Sequence, residues 1–327
     1  MQITALAGAV AVSGGIHAAA IQRQTEIHRV HETRLLMGSI THITLFTDQP
    51  SQARAAIDAT FTRMTALEAI FSRFQPTSDL SQLNADGRLR PVVPEMYTVL
   101  SRAHTYSKLT SGAFDVTVEP VLRLYRASTQ SDIWPTDEAI KQASALVDYR
   151  HIHLTEDEVR LETPGMALTL DGIAKGYIID QAVQVLRNQG MAEVLVELGG
   201  DLAASGGRTT PWRIAIQSPR PGLETPVAIL TQAAMATSGD YLNTFSADKR
   251  AHHILNPHNG SSPTGLASAT VIADSACEAD ALATALMVMG NQGREVLETM
   301  PNVEALTIDK QGEVYHTAGF PRLTRSG

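Results

Sequence analysis

Alternation of apolar and polar residues marks the first strand of the chain. The segment MGSITHITLFT, residues 37–47, alternates in the manner of a half-buried β-strand. Over Ser51–Phe74 the apolar residues recur at helical spacing instead, until QPTSD breaks the run. A second helix is predicted over Pro94–Ser111. The chain therefore mixes both kinds of element from its beginning.

The remaining patterns continue this mixture. A helix is predicted over Thr136–Leu146 with Thr136 as its cap, and HIHLTEDEVRLE reads as a hairpin. SGAFDVTVEPVL leads from a glycine-containing loop into a strand-like stretch. MALTLDGIAKGYIIDQAVQVLRNQG passes from a strand through a glycine turn into a helix closed by Gly190. Further strands are predicted at Glu193–Leu198, Trp212–Gln217, Val227–Thr231 and Ala269–Ala273.

The order of these elements predicts an α+β fold. Strands and helices are mixed without regular βαβ alternation, which favours a single globular domain around a largely antiparallel sheet with flanking helices. We expect residues 35–327 to form this domain. Residues 1–34 are expected to be the remnant of an export signal and a polar connector, which covers Gln22–Arg34.

Composition narrows the class of protein. The chain has 327 residues, of which 43% are hydrophobic and 18% charged, as in ordinary soluble globular proteins. Its net charge is -8 and its basic residues are scattered singly, so nucleic acid is not an expected partner. Cys277 is the single cysteine, which excludes an intrachain disulfide and a Cys₄ zinc site.

The first residues resemble a secretory signal. Ile3–Ala20 is an apolar run that ends in small residues suited to signal peptidase, but only Met1 and Gln2 precede it. We therefore expect an exported, periplasmic or otherwise extracytoplasmic protein, with a twin-arginine-like signal whose start is truncated. The alternative is a cytoplasmic protein in which this run is a packed helix. No stable membrane anchor is evident.

One apolar run carries two polar residues that need an explanation. In ADALATALMVMG, Asp280 and Thr284 stand four residues apart and would lie on one face of a helix. One interpretation is that Asp280 caps the helix and that Thr284 bonds back to its carbonyl. The other interpretation is that a hard cation such as Mg²⁺ or Ca²⁺ compensates the buried carboxylate.

Four further segments carry candidate chemistry. In VELGGDLAASG, Gly199 and Gly200 could form a tight turn and Asp201 could orient a neighbouring loop, although a simple hairpin would give the same pattern. In AMATSGDYLNTF, the corner at residues 237–239 offers hydroxyls and amides of the kind that cradle phosphate oxygens, although a turn with local hydroxyl capping is the alternative.

The other two segments carry a lysine and a histidine. In LDGIAKGYIID, Gly172 and Gly176 permit a ligand to approach the backbone, and Lys175 supplies a cation at a helix start, although a solvated lysine would give the same pattern. In RAHHILNPHNG, His253 is a candidate general base, ligand contact or structural histidine. Neither a GxSxG elbow nor an HExxH motif is present.

Eight segments in this order resemble the FAD:protein FMN transferases, the ApbE-like flavin transferases. The resemblance runs from about Leu35 to the C-terminus and implies the T-fold-like architecture of that family. The segments are MGSI, SRFQPTSDLSQLN, SGAFDVTV, DGIAKGYIID, VELGGDLAASG, ATSGDY, HHILNP and ADALATA.

The resemblance implies a role for each matching residue. Asp280, Thr284 and the carbonyl of Gly172 would hold Mg²⁺, with Ca²⁺ as the alternative. Lys175 and His253 would be catalytic, with His253 taking the proton of the acceptor. The FAD contacts implied in the same way are Met37, Phe74, Ala113, Phe114, Asp115, Lys175 and His253. The sequence departs from the family at Thr169, where an Asp is usual, at Phe74, where a Tyr is frequent, and at NPHNG.

The implied reaction transfers FMN from FAD to a Thr hydroxyl of an acceptor protein as a phosphodiester and releases AMP. The acceptor would be a flavoprotein of the redox-pump or flavin-reductase type. Two alternatives use the same site: a Mg²⁺-dependent FAD pyrophosphatase that releases FMN and AMP, and a non-enzymatic FAD-binding protein.

Overall fold

Antiparallel strands organise the chain. The computed structural model describes residues 26–131, 133–206, 210–223 and 226–322. In chain order the strands are β1 (His28–Leu36), β2 (Ser39–Thr47), β3 (Arg88–Leu89), β4 (Ile152–Leu154), β5 (Val159–Leu161), β6 (Glu193–Leu198), β7 (Asp201–Ser205), β8 (Trp212–Ala215), β9 (Val227–Leu230), β10 (Ala233–Gly239), β11 (Leu266–Ala273), β12 (Glu304–Asp309) and β13 (Val314–His316).

Helices alternate irregularly with these strands. They are α1 (Pro50–Phe71), α2 (Asp79–Asp86), α3 (Pro94–Leu109), α4 (Glu119–Ser131), α5 (Asp137–Ser144), α6 (Ala174–Asn188), α7 (Ala276–Met289) and α8 (Asn291–Glu298). Short 3₁₀ turns lie at Val116–Val118 and Tyr149–His151.

Among the described strands, eight form one sheet in the order β1-β2-β6-β7-β10-β11-β12-β13, and each neighbouring pair is antiparallel. Two-residue turns at Met37–Gly38 and Gly199–Gly200 join β1 to β2 and β6 to β7, and all four residues have a positive φ. Such turns match the twist of the strands that they connect. Both lie at the same end of the sheet, because the Gly199 N–H donates to the Ile40 carbonyl.

One face of the sheet is covered by α1, α6 and α7. The buried side chains of Ile57, Met64 and Leu67 on α1 belong to the same core cluster as Ile43 of β2 and Val196 of β6. A second cluster joins α7 to β10, β11 and β12. Burial of this apolar surface, at about 25 cal/mol per Å², holds the helices on the sheet.

The opposite face carries the β8–β9 hairpin. Ala228 and Leu230 of the hairpin pack in one cluster with Leu202, Met235 and Ile272 of the sheet. The central strand β11 is covered on both sides, and all of its residues are buried.

The α+β fold predicted from the sequence is confirmed, as are several of its elements. β6 has the predicted bounds, and the predicted hairpin in HIHLTEDEVRLE is formed by β4 and β5. Thr136 caps α5, since its hydroxyl accepts a hydrogen bond from the Ala139 N–H at 3.2 Å. Gly190 follows α6 with a positive φ. The helices α1 and α3 end a few residues before their predicted ends.

Two predicted strands are wrong. SGAFDVTVEPVL forms a 3₁₀ turn and the start of α4, because the Asp115 carboxylate accepts the Thr117 N–H and begins the turn. Residues 166–170, predicted as the strand before α6, are a loop. The Leu168 N–H in this loop donates to Asn84 Oδ1 instead of to a neighbouring strand.

The N-terminal prediction is tested only in part. The connector predicted up to Arg34 is wrong from His28 onward, since those residues form β1 and pair with β2. The predicted export signal over Ile3–Ala20 lies outside the described residues. Of the helices that the structure describes, none is both long and apolar enough to span a membrane.

Candidate active site

Lys175 and Asp201 form an ion pair at the start of α6. The Gly199–Gly200 turn places Asp201 at the first position of β7, where its side chain is only 3% exposed. Its Oδ2 accepts a hydrogen bond from Lys175 Nζ, and its Oδ1 accepts one from the Thr237 backbone N–H at 3.1 Å. Lys175 lies in the first turn of α6, which has no side-chain cap. An ammonium group at an uncapped helix start favours the binding of an anion.

Asp280 and Thr284 face this helix start from α7. Asp280 is not the cap of α7, because the Ser275 side chain takes that role and accepts the Glu278 N–H at 3.2 Å. Asp280 Oδ2 instead accepts the Gly176 N–H at 3.2 Å. The predicted alternative of a helix cap is therefore wrong for Asp280, and the carboxylate points to α6.

The Gly172 turn lies directly against Thr284. A Cβ atom added to Gly172 would stand 2.9 Å from Thr284 Oγ1 and 3.4 Å from Phe114 Cε2. On its other side, Thr284 Oγ1 is 3.2 Å from Ser238 Oγ at the end of β10. Only a glycine permits this approach, so the structure brings together the predicted metal residues Gly172, Asp280 and Thr284.

Burial governs the charges of this cluster. It raises the pKa of the Asp280 carboxyl above its ordinary value, while the Lys175 ammonium and the Gly176 N–H oppose that shift. Burial also lowers the pKa of Lys175, but the carboxylates of Asp201 and Asp280 outweigh it and hold that pKa above its ordinary value. Lys175 therefore stays charged, and it is already paired with Asp201. An ionised Asp280 is incompletely compensated by its protein neighbours.

The donor atoms around Thr284 fit a hard cation. They are a carboxylate, a hydroxyl and the backbone of Gly172, and oxygen ligands are those that Mg²⁺ and Ca²⁺ prefer. Within the described ranges no group of three or more His, Cys, Asp or Glu side chains could hold a metal ion. A cation held here would take its remaining ligands from water and from a bound phosphate.

His253 is half-buried in the long connection between β10 and β11. Its backbone N–H donates to the Asn243 carbonyl at 2.9 Å, and its ring Nδ1 lies 3.3 Å from the same oxygen. Burial lowers the pKa of His253, the Asn243 carbonyl and Asp171 oppose that shift, and Lys175 and Arg73 add to it. The imidazole is therefore neutral at pH 7, the form that can accept a proton.

Phe74 lies at the exposed rim of the site. The residue is 74% exposed, and the Arg73 guanidinium stacks on its ring with Cζ 4.0 Å from the ring centroid. Arg73 Nε also donates to Asp171 Oδ2 at 2.8 Å, next to Gly172. This contact joins the loop after α1 to the turn before α6, and so places the aromatic ring beside the Gly172 turn.

Met37 reaches the same end of the sheet through the β1–β2 turn. Its backbone N–H donates to Glu68 Oε1 at 3.0 Å, which ties the turn to the end of α1. Ser39 in turn contacts Gly199, since a Cβ atom on that glycine would lie 3.0 Å from Ser39 Oγ. Met37 is thus tied to the last turn of α1, and the β1–β2 turn that carries it lies beside the turn that presents Asp201.

The three residues of the segment Ala113–Asp115 lie in different surroundings. Phe114 is buried and faces Gly172, as described above. Asp115 holds its own loop, because Oδ1 accepts the Thr117 N–H and hydroxyl at 2.8 and 2.6 Å, and Oδ2 accepts the Tyr149 N–H at 3.0 Å. Ala113 lines a cavity of about 410 Å³ together with Ser111 and Val288.

Three residues that complete the cluster were not among the predicted site residues, although Asp201 and Ser238 stood in segments with candidate chemistry. Asp201 followed a Gly-Gly turn, and Ser238 stood in the ATSGDY segment, so both had a local signal. Neither signal revealed which residue they would meet, because Lys175 and Thr284 are distant in the chain. Arg73 had no signal of its own, since its partners Phe74 and Asp171 are brought to it by the fold.

Comparison with known proteins agrees with this architecture. Residues 37–307 match the model of the ApbE family. The chain belongs to the ApbE family. The FAD:protein FMN transferase of Treponema pallidum is 28% identical over 322 residues, which cover 91% of this chain and 89% of that relative. The FAD:protein FMN transferase of Vibrio cholerae is 33% identical over 262 residues, which cover 76% of this chain and 78% of that relative.

Solved structures of the ApbE family share the fold. The crystal structure of the ApbE protein of Thermotoga maritima has a TM-score of 0.81 at 29% identity and covers 89% of this chain and 97% of its own.

Against the family pattern, Thr169 stands where an Asp is usual. It is 7% exposed, and its Oγ1 accepts the Asp171 N–H at 3.3 Å. Thr169 therefore stabilises the loop that presents Gly172.

Proposed function

We propose that this ApbE-family protein transfers FMN from FAD to a Thr hydroxyl of an acceptor protein and releases AMP, with Mg²⁺ as its metal. The observation that carries the proposal is that Lys175 and the Gly172 turn, at the start of α6, meet Asp280 and Thr284 of α7. This arrangement supplies positive charge, oxygen ligands and a close backbone approach at one place. Those are the requirements for holding a pyrophosphate.

The reaction is a substitution at the phosphorus of the FMN half. The acceptor Thr oxygen forms a bond to this phosphorus, the bond from phosphorus to the bridging oxygen breaks, and that oxygen leaves with AMP. The hydroxyl proton passes to a base. No oxidant or reductant is needed, because the flavin keeps its redox state.

Lys175 has the position and charge to hold the pyrophosphate. Asp201 fixes its ammonium in place, and the buried carboxylates keep it protonated. An ammonium that is already oriented stabilises the charge that develops on the leaving phosphate without having to move. Bound Mg²⁺ would supply further neutralisation of the phosphate charge and would be held by Asp280, Thr284 and the Gly172 carbonyl.

His253 is the proposed base. Its lowered pKa leaves the imidazole neutral at pH 7, and the Asn243 carbonyl fixes the orientation of its ring. General base catalysis of this kind typically contributes about 10²–10⁴-fold in rate. Phe74 offers an open aromatic face at the rim, which suits the stacking of a flavin ring.

The test uses purified protein with FAD, Mg²⁺ and a flavinylation-competent acceptor domain. The acceptor is weighed by mass spectrometry and AMP is assayed in the same sample. The proposal expects a gain in mass of one FMN with an equal amount of AMP, and no gain for an acceptor whose target Thr is replaced by Val. Free FMN and AMP without a heavier acceptor would mean a pyrophosphatase. FAD binding without either product would mean a flavin-binding protein.

A further inference from the structure

The N-terminus of α7 is held by a hydroxyl group from its own chain segment and by a carboxylate from α6. Ser275 caps the helix locally, since its side chain accepts the Glu278 N–H at 3.2 Å. Asp180 reaches the same end from α6. Its Oδ1 accepts the Ala276 N–H at 2.7 Å and its Oδ2 accepts the Cys277 N–H at 3.1 Å. Asp180 therefore links two helices, whereas Ser275 acts within one.

A second link between the same helices lies one turn away. The Gly176 N–H of α6 donates to Asp280 Oδ2 of α7 at 3.2 Å. Gly176 and Asp180 are four residues apart on α6, and Ala276 and Asp280 are four residues apart on α7, so each pair lies on one helix face. In one link α7 supplies the carboxylate and α6 the N–H group, and in the other link these roles are exchanged. Together they fix how far α7 can slide or rotate against α6.

The helices touch closely between these links. A Cβ atom on Gly176 would lie 2.1 Å from the Ala276 carbonyl oxygen. There is no side chain between the backbones, so a small shift of α7 would not be absorbed by a change of rotamer. Such a shift would move Asp280 relative to Lys175 and to the Gly172 turn.

The carboxylate of Asp180 is suited to this role. A negative charge is favourable at a helix N-terminus, where backbone N–H groups lack partners within the helix. Arg102 of α3 stands behind it, with Nη1 3.8 Å from Asp180 Oδ2. Both oxygens face backbone N–H groups of α7 and neither faces the cluster around Thr284, so Asp180 acts through the helix and not on the ligand.

We infer that Asp180 is a positioning residue that sets the place of α7 along α6 and thereby brings the Asp280 carboxylate into register with Lys175 and Gly172. The inference rests on the proposed function, because it assigns Asp280 to a cation. It predicts that loss of Asp180 weakens cation binding at a distance, without removing a ligand.

The test compares Asp180→Ala, Asp180→Asn and Ser275→Ala in the full-length protein with FAD bound. Mn²⁺ is titrated and its binding is followed by electron paramagnetic resonance, with no acceptor present. Urea unfolding of each variant without metal is measured alongside. Both alanine variants are expected to unfold at lower urea concentration than the wild type, since each loses a helix cap.

Mn²⁺ affinity separates positioning from simple capping. Asp180→Ala is expected to raise the Mn²⁺ dissociation constant by about tenfold or more, which is the typical loss when a residue that orients metal ligands is replaced. Ser275→Ala is expected to leave it within about twofold, since it removes no link between the helices. Asp180→Asn keeps one acceptor oxygen and is expected to fall between them. If Asp180→Ala does not fold, Asp180→Asn carries the comparison.

The Mn²⁺ affinities separate a positioning role of Asp180 from general destabilisation. Equal Mn²⁺ affinity in wild type, Asp180→Asn and any folded Asp180→Ala would overturn the positioning role. An equal loss in Ser275→Ala would also overturn it, because general destabilisation would then be the cause. Failure of the wild type to modify an acceptor, with normal Mn²⁺ binding, would overturn the proposed transfer and leave the positioning role standing. If the wild type with FAD bound no Mn²⁺, both the inference and the metal assignment would be wrong.

Discussion

At the scale of single residues, the site depends on a carboxylate that is costly to bury. Asp280 is 4% exposed and has one hydrogen-bond donor among the described residues, the Gly176 N–H. Lys175 is nearby but is paired with Asp201. A group of this kind is a poor stabiliser of the fold, because the free-energy cost of removing the carboxylate from water exceeds the stabilisation from one backbone hydrogen bond. The proposed cation would account for its presence.

This leads to opposite expectations for activity and stability in Asp280→Asn. FMN transfer with Mg²⁺ should fall by about 100-fold or more, since a metal ligand is weakened. The free energy of unfolding without metal should stay within about 1 kcal/mol of wild type or rise, because no charge remains to be buried. Initial rates of AMP release and urea unfolding measure the two. The exposed Asp86→Asn is the control, and full activity in Asp280→Asn would contradict the assignment.

A second residue-scale prediction concerns His252, the neighbour of His253. His252 is fully buried, its Nε2 lies 3.2 Å from the Pro263 carbonyl, and its Nδ1 has no hydrogen-bond partner among the described residues. Burial lowers the pKa of His252 to about 4. The unfolded chain has the ordinary value of about 6.5, so it takes up the proton first as pH falls.

Protonation of His252 should therefore leave the free energy of unfolding unchanged above about pH 6.5 and should lower it as the pH falls towards about 4. Between pH 7.5 and 5.0, this histidine alone should remove about 2 kcal/mol from the free energy of unfolding. His252→Gln should lose that part of the pH dependence, and the exposed His153→Gln should keep it. Urea unfolding at the two pH values tests this, and an unchanged slope in His252→Gln would show that His252 does not titrate in this way.

At the scale of elements, the close packing of α6 on α7 determines the geometry of the site. Gly176→Ala would place a Cβ atom 2.1 Å from the Ala276 carbonyl oxygen, which is backbone and has no rotamer to change. The helices must separate, and the free energy of unfolding should fall by about 3 kcal/mol. Gly265→Ala is a matched control, since nothing lies within 4 Å of its added Cβ. Thermal or urea unfolding that ranks the two variants equally would contradict this packing.

Elements with a clear local pattern were predictable, and those decided by distant contacts were not. β6 follows EVLVEL because alternate residues face the helices, and its bounds were predicted correctly. The β-branched run of Val116–Val118 also suggested a strand, but Asp115 and the loop at Tyr149 hold it as a 3₁₀ turn. The meeting of Asp180 with the start of α7 had no sequence signal, since the partners lie on different helices.

At the scale of the whole molecule, one buried carboxylate joins three connections at the site end of the sheet. Asp240, which follows β10, accepts hydrogen bonds from Arg220 Nη1 and Nη2 at 2.8 and 2.7 Å and pairs with Lys310 after β12. Burial opposes the charge of Asp240, but Arg220 and Lys310 outweigh it and hold its pKa below the ordinary value. The connection that carries His253 thus begins from a fixed point.

Asp240→Asn should lower the free energy of unfolding at pH 7 by about 3–5 kcal/mol, because it leaves two cations without their buried partner. Since the folded-state pKa of Asp240 is depressed, its stabilisation is present above the ordinary carboxyl pKa and is lost as pH falls through the depressed one. Urea unfolding checks this. The exposed Asp248→Asn, on the same connection, should be nearly neutral, and a similarly small effect at Asp240 would refute the anchoring role.

Sequence reasoning predicted the overall class of the molecule and most residues proposed for its site. The glycine turns, Lys175 and the Asp280–Thr284 pair each carried a chemical signal within a few residues. The pairing of Lys175 with Asp201 could not be predicted in the same way, because it follows from how the β6–β7 turn meets α6. The resemblance to a family supplied roles for these residues, while the structure supplied the contacts between them.

We propose that one site between α6 and α7 holds both a divalent cation and a pyrophosphate. The most direct measurement is anomalous X-ray diffraction from crystals grown with FAD and Mn²⁺. We expect a manganese peak within bonding distance of the Asp280 carboxylate and Thr284 hydroxyl, with the FAD pyrophosphate between that peak and Lys175. A manganese peak elsewhere, or FAD bound with its pyrophosphate away from Lys175, would contradict it.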